Sequence, residues 1–177
     1  MISILPQDPI LSFAEAKQFE EAYFSGDEEK EWEVISRAGE AVGDSALRDM
    51  RELRTIPHRP RILILVGKGH NGADALLACK RFLRTIPTSK AVIWPWSSKE
   101  SCRPLTQRAF EELIDFAAKR IEILSPSEEM NMENIRGTFE QVTQNRGFDL
   151  VVDGLLGMQS RPGLQPLMKE WIQLLNQ

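Results

Sequence analysis

The stretch ILILVGKGHNGADALLACKRFL, residues 62–83, constrains the fold more than any other part of the chain. Five apolar residues, Ile62 to Val66, run without the alternation of a half-solvated strand, so they read as a strand buried on both faces. They lead directly into Gly67, Gly69 and Gly72, and a helical pattern with Leu76, Leu77, Phe82 and Leu83 on one side follows at once. A buried strand that passes through a tight polar turn into a helix is the opening of a βα unit. The turn itself, GKGHNG, fits G-x-G-x-x-G in the context that gives this pattern meaning. Glycines there let the backbone turn sharply and approach a ligand, and the helix N-terminus offers unpaired N–H groups to an anion. A plainer reading has Asn71 capping the helix and Asp74 complementing its dipole, with no ligand.

The rest of the chain repeats the alternation. SFAEAKQFEEAYF opens with Ser12 and Glu15 at capping-box spacing and sets Phe13, Ala16, Phe19 and Tyr23 at helical intervals. Trp32, Ile35, Ala38, Val42, Ala46 and Met50 mark a second amphipathic helix reaching about Leu53. After the glycine turn and its helix, AVIWPW at 91–96 reads as a strand, PLTQRAFEELIDFAAK as a helix and RIEIL as a strand. Met132, Ile135, Phe139 and Val142 mark a further helix, FDLVVDGLLG a strand ending in a turn, and Leu164 to Leu175 a last helix. Strands alternating with helices predict a three-layer α/β/α sandwich, a Rossmann-like fold with a mostly parallel sheet, preceded by two N-terminal helices. No repeat or shift of composition divides residues 1–177, which are expected to form a single domain.

Composition narrows the function classes. The chain is 42% hydrophobic and 27% charged, with a formal net charge of -4, so no global positive field exists to draw nucleic acid or an anionic membrane. No apolar run approaches the roughly 18 residues of a membrane span, and the N-terminus lacks the basic start of a secretory signal. Cys79 and Cys102 have neither zinc-ligand spacing nor disulfide-scaffold density, which suits two free thiols in a reducing, cytoplasmic setting.

FDLVVDGLLGMQSRPG, residues 148–163, is the second chemical cluster. Asp153 falls at the end of a parallel strand, the edge where open α/β sheets bind ligands, and the glycine turn ends at the same edge. A carboxylate there beside Asn71 suits cation binding through oxygen or proton transfer on a bound substrate, unless it simply starts a turn. An ordinary nicotinamide dehydrogenase loses ground, because the acidic ribose acceptor expected about 20 residues beyond the glycines is replaced by VIWPWSSK. A Walker loop is absent as well.

SRAGEAV, then a strand with GKGHNGADALLACKRFL, then FDLVVDGLLGMQSRPGLQPLMKEWIQLLN, resemble in order and content the YjeF N-terminal domain family, the NAD(P)H-hydrate epimerases, from about Phe13 to Asn176. The family shows G-x-G-N-N-G-G-D-G and V-D-A-L-[LF]-G. This chain keeps Gly67, Gly69, Asn71, Gly72 and Asp74 of the first, with His70, Ala73 and Ala75 as departures, and Val152, Asp153, Leu155, Leu156 and Gly157 of the second. The resemblance implies an isomerase that interconverts the R and S epimers of hydrated NADH or NADPH, for cofactor repair. It implies substrate contacts at His70, Asn71, Gly72, Ala73 and Asp74, and at Gly157, Met158, Gln159, Ser160, Arg161, Pro162 and Gly163. Asp153 is the implied catalytic residue, and Asn71 with Asp153 the implied ligands of a potassium ion. A homodimer and a downstream ADP- or ATP-dependent dehydratase are the implied partners.

The family continues into another strand and a D-x-P-S-G-like turn, whereas this sequence stops at Gln177, so the last part of the family domain is expected to be missing. A non-catalytic nucleotide-binding or protein-interaction module of the same fold is the alternative function. Three further features read as structural. Trp94 and Trp96 suit edge packing better than adenine stacking. His70 suits a loop hydrogen bond better than acid–base work. The five arginines of RDMRELRTIPHRPR suit a solvated helix end and linker better than an RNA contact.

Overall fold

The computed structural model describes residues 11–125, 131–143, 146–157 and 166–175. The chain divides into two compact units between Val34 and Ile35. In the first, helix α1 spans Phe13–Phe24 and begins with the expected capping box, in which the Ser12 hydroxyl and Glu15 carboxylate satisfy each other's backbone N–H groups. Its aromatic stripe is not a core face. Phe13, Phe19 and Tyr23 are all exposed, and no residue of α1 is buried. Helix α2, Glu28–Leu53, starts where the Asp27 carboxylate accepts the N–H groups of Glu29 and Lys30, and continues into the second unit.

That unit holds strands β1 (Arg61–Val66), β2 (Lys90–Pro95), β3 (Ile121–Ile123) and β4 (Leu150–Gly154), with helices α3 (His70–Thr85), α4 (Pro104–Ala117), α5 (Met132–Thr143) and α6 (Pro166–Leu175). All strand pairs are parallel, in the order β3-β2-β1-β4. The expected α/β architecture is thus present. β1 is central, which explains its unbroken apolar run: Ile62, Leu63, Ile64, Leu65 and Val66 are all buried.

Alternation along β1 divides its side chains between two layers. Leu63 and Leu65 join Val92, Trp94, Ile135, Val142, Trp171 and Leu174 in a core beneath α5 and α6. On the other face, Val66 meets the start of α3, and α3 packs against α4. Trp94 and Trp96 are spent on packing, with ring centroids 4.9 and 5.3 Å from that of Trp171. The part of α2 within this unit lies along α3. A methyl group on Gly39 would fall 2.5 Å from Leu77 Cβ, and ion pairs Arg81–Asp44 and Arg84–Glu40 flank the contact. Val42, expected on the apolar stripe, is exposed.

From β1 the chain steps outward to β2 and β3, then returns through α5 to place β4 on the opposite side of β1. The direction of winding therefore reverses between β1 and β4, and such a reversal leaves a crevice at the carboxyl ends of the two strands. Gly67 and Gly154, one from each sequence cluster, lie there. No described helix is long and apolar enough to cross a membrane.

Candidate functional site

At the carboxyl edge, the glycine turn and the end of β4 are in contact. The Gly67 N–H donates to the Gly154 carbonyl at 3.0 Å. A Cβ on Gly67 would lie 2.1 Å from the Leu155 carbonyl oxygen, and one on Gly72 would lie 2.2 Å from that of Gly67. Both positions exclude a side chain because backbone meets backbone. Gly69 is different, since a Cβ there has nothing within 4 Å. One glycine of the pattern therefore faces open space at the mouth of the turn.

Asn71 is not a helix cap. The N-cap of α3 is Gly69, which makes no side-chain capping bond, and the Asn71 amide instead donates through Nδ2 to the Leu156 carbonyl at 2.6 Å. Its Oδ1 faces Gly157, where a Cβ would lie 3.4 Å away. A side chain from the first cluster thus ties down the backbone of the second across 85 residues of sequence. His70 is the first residue of α3 and half-buried, while Gly72 and Ala73 are buried in its first turn. The Ala73 side chain faces the interior, and its N–H bonds the Gly69 carbonyl at 3.4 Å.

Asp153 is exposed on β4 and in register with Leu65. Its Oδ1 accepts the Leu155 N–H at 2.9 Å, so this carboxylate does shape the turn after the strand. The second carboxylate oxygen is not used in that bond. Asp74, by contrast, lies inside α3, and burial raises its carboxyl from 3.8 to about 6. Its Oδ1 is shielded from solvent and has no hydrogen-bond partner among the described residues. Its backbone lies against Gly39 of α2. Met158, Gln159, Ser160, Arg161, Pro162 and Gly163 lie outside the described residues.

Thr106 also touches the turn, although no feature of the sequence pointed to it. It is fully buried at the start of α4, and its hydroxyl donates to the Gly69 carbonyl at 3.0 Å and, at 3.4 Å, to that of Lys68. The Arg103 N–H also donates to the Lys68 carbonyl, at 2.9 Å. These bonds fix the turn from below and leave its other side to the crevice.

Among the described residues no group of three or more His, Cys, Asp or Glu side chains could hold a metal ion. The atoms offered by Asn71 and Asp153 are an amide oxygen and a carboxylate, hard oxygen donors of the kind that suit alkali and alkaline-earth cations better than soft metals. Donor chemistry therefore fits potassium in kind.

The family described as YjeF-related protein N-terminus matches residues 31–177. No curated protein matches the sequence. Among solved structures, the fold is similar to the crystal structure of yeast ynu0, YNL200c, with a TM-score of 0.69 at 16% identity. That similarity covers 94% of this chain and 64% of the yeast chain, so the chain spans less than two thirds of its neighbour's length. With its strand–turn–helix and its β4 turn meeting at one edge, the chain belongs to the YjeF-related protein N-terminus family.

Proposed function

We propose that this protein is an NAD(P)H-hydrate epimerase acting on hydrated NADH or NADPH at the carboxyl edge of β1 and β4. What supports this reading is the Asn71 tie to Leu156, which joins both sequence clusters of the family into one crevice. The exposed side of the glycine turn at Gly69 and the N-terminus of α3 receive the pyrophosphate through backbone N–H groups. Gly157 keeps the approach to Asn71 clear.

Epimerisation at the hydroxyl-bearing ring carbon needs a group that moves a proton as hydroxide departs and returns. Asp153 is the exposed carboxylate at that edge, with one oxygen held by the Leu155 N–H and the other directed to this task. Asn71 and Asp153 would hold a potassium ion, which would supply positive charge against the substrate's phosphates. Burial raises the Asp74 carboxyl to about 6, so it takes up a proton only as the pH falls below neutrality.

Interconversion of the two hydrate epimers, followed by chromatography, tests the proposal. Asp153→Asn retains an oxygen acceptor for the Leu155 N–H, so the fold should survive, while the titrating proton is lost. Carboxylate proton transfer contributes about a hundred- to ten-thousand-fold, and the rate should fall by that factor. Unchanged epimerisation in the variant would leave Asp153 as a turn residue. No epimerisation by the wild-type protein would favour the binding module, a reading that Asp153's bond within its own turn also suits.

A further inference from the structure

We propose that the amino edge of the sheet carries a second ligand site, a groove for a small diphosphate. The groove encloses about 300 Å³, at the lower end of small-molecule sites, and lies at the strand ends opposite the glycine turn. Ala91, Val92 and Ile121 give it its apolar lining, and Arg61, Lys90, Lys119, Arg120 and Glu122 its charged lining. Four cationic residues and one carboxylate thus border the groove in a chain whose net charge is -4, although the Arg120 guanidinium itself turns toward α3 and α4.

The placement of these cations is costly unless an anion joins them. Arg61 and Lys90 are register partners on adjacent parallel strands, so their side chains leave the sheet on the same face. Like charges directly opposite on a sheet repel. Lys119 and Arg120 end the single helical turn that feeds β3, whose first residue, Ile121, pairs with Ala91. The cations thus line up across the entry points of three neighbouring strands.

Their charge is held in place but not neutralised. The Arg61 guanidinium donates to the carbonyls of Arg146 and Val142 and lies over the Phe148 ring. That of Arg120 donates to the carbonyls of Leu83, at 2.7 Å, and Pro87, and lies over the Phe116 ring. Carbonyls and rings orient a guanidinium without cancelling it. Asp149, the nearby carboxylate, is spent on the Arg61 backbone N–H and on the Arg54 and Arg146 side chains. Lys90 and Lys119 are exposed and form no ion pair among the described residues, leaving two ammonium groups to grip an incoming anion. With the Arg120 guanidinium turned toward α3 and α4, Glu122 offsets one of the three remaining charges and leaves an excess of two, three minus one, which a diphosphate matches better than a singly charged anion.

Calorimetric titration of the full chain at low salt with inorganic pyrophosphate is the test, with ADP and a short single-stranded oligonucleotide as separate arms. Saturable one-to-one binding of pyrophosphate is expected, weakened tenfold or more in Lys90→Glu/Lys119→Glu. Both substituted positions are exposed, so the variant should fold. It should also melt at a higher temperature than wild type, because each new carboxylate relieves the repulsion, and it should bind NADPH hydrate as wild type does. Tighter binding of ADP than of pyrophosphate assigns the diphosphate to a nucleotide; the reverse assigns it to the free anion. No saturable pyrophosphate binding, equal affinity in the variant, or tighter binding of the oligonucleotide would each overturn the proposal.

Discussion

Replacing Gly67 by alanine should destabilise the protein by about 3 kcal/mol, because the site's two halves meet at this backbone. The added methyl would lie 2.1 Å from the Leu155 oxygen, 2.7 Å from its carbonyl carbon and 2.8 Å from the Gly154 oxygen. None of these atoms is the tip of a flexible side chain. The turn after β4 must therefore move away from β1, which breaks the 3.0 Å bond from Gly67 N–H to Gly154. Losing a buried backbone hydrogen bond and leaving its groups unpaired costs about 1–3 kcal/mol, and forcing a packed contact apart costs about as much again. In a domain of this size, about 1 kcal/mol corresponds to roughly 2–4 °C, so the melting temperature should fall by about 6–12 °C. Gly69→Ala is the internal control. It adds its methyl to open space at a helix N-cap and should cost under about 1 kcal/mol. Thermal melts by circular dichroism, with urea titrations of both variants, give the comparison. Equal stabilities of Gly67→Ala and Gly69→Ala would refute the claim that β1 and β4 are clamped together at Gly67.

Three other perturbations address the surroundings of the site. Burial raises the Asp74 carboxyl from 3.8 to about 6, so the folded state binds its proton more tightly than the unfolded chain; the associated stability is present below pH 4 and is lost as pH rises through about 6. Asp74→Asn should therefore be stabilising at pH 7.5 and much less so at pH 4, as melts at the two pH values will reveal; a gain that shrinks with rising pH would reverse the assignment. Thr106→Val keeps the shape but removes the donor to the Gly69 and Lys68 carbonyls, and should cost about 1–2 kcal/mol by urea unfolding. Trp171→Ala, at a fully buried ring stacked against Trp96 and edge-on to Trp94, should cost about 3–5 kcal/mol in the same assay.

The β1 run was legible because a strand buried on both faces needs no alternation, and the glycine turn because it separates two different hydrophobic periods. That the glycine turn and Asp153 share the carboxyl edge followed from the alternation of strands and helices, whereas the pairing of β1 with β4 did not. Individual contacts did not follow. Asn71 carries the residue type and position of a helix cap, and only the tertiary arrangement offers its amide the Leu156 carbonyl instead. Phe13, Phe19 and Tyr23 repeat at core spacing yet stay exposed, since periodicity reports which residues share a face and not whether that face is covered. Thr106 was invisible because a helix-start threonine is commonplace, and the basic groove because its cations come from separate strands joined only by register.

The claim that the glycine turn and the β4 turn form one ligand crevice is tested most directly by titrating isotope-labelled protein with NADPH hydrate and following amide resonances. The account predicts saturable shifts in Gly69 to Asp74 and in Gly154 to Gly157 with a single affinity, together with movement of the Asn71 side-chain amide signal that bonds Leu156. Shifts confined to one of the two segments, or found instead around Lys90 and Lys119 at the opposite edge, would contradict it.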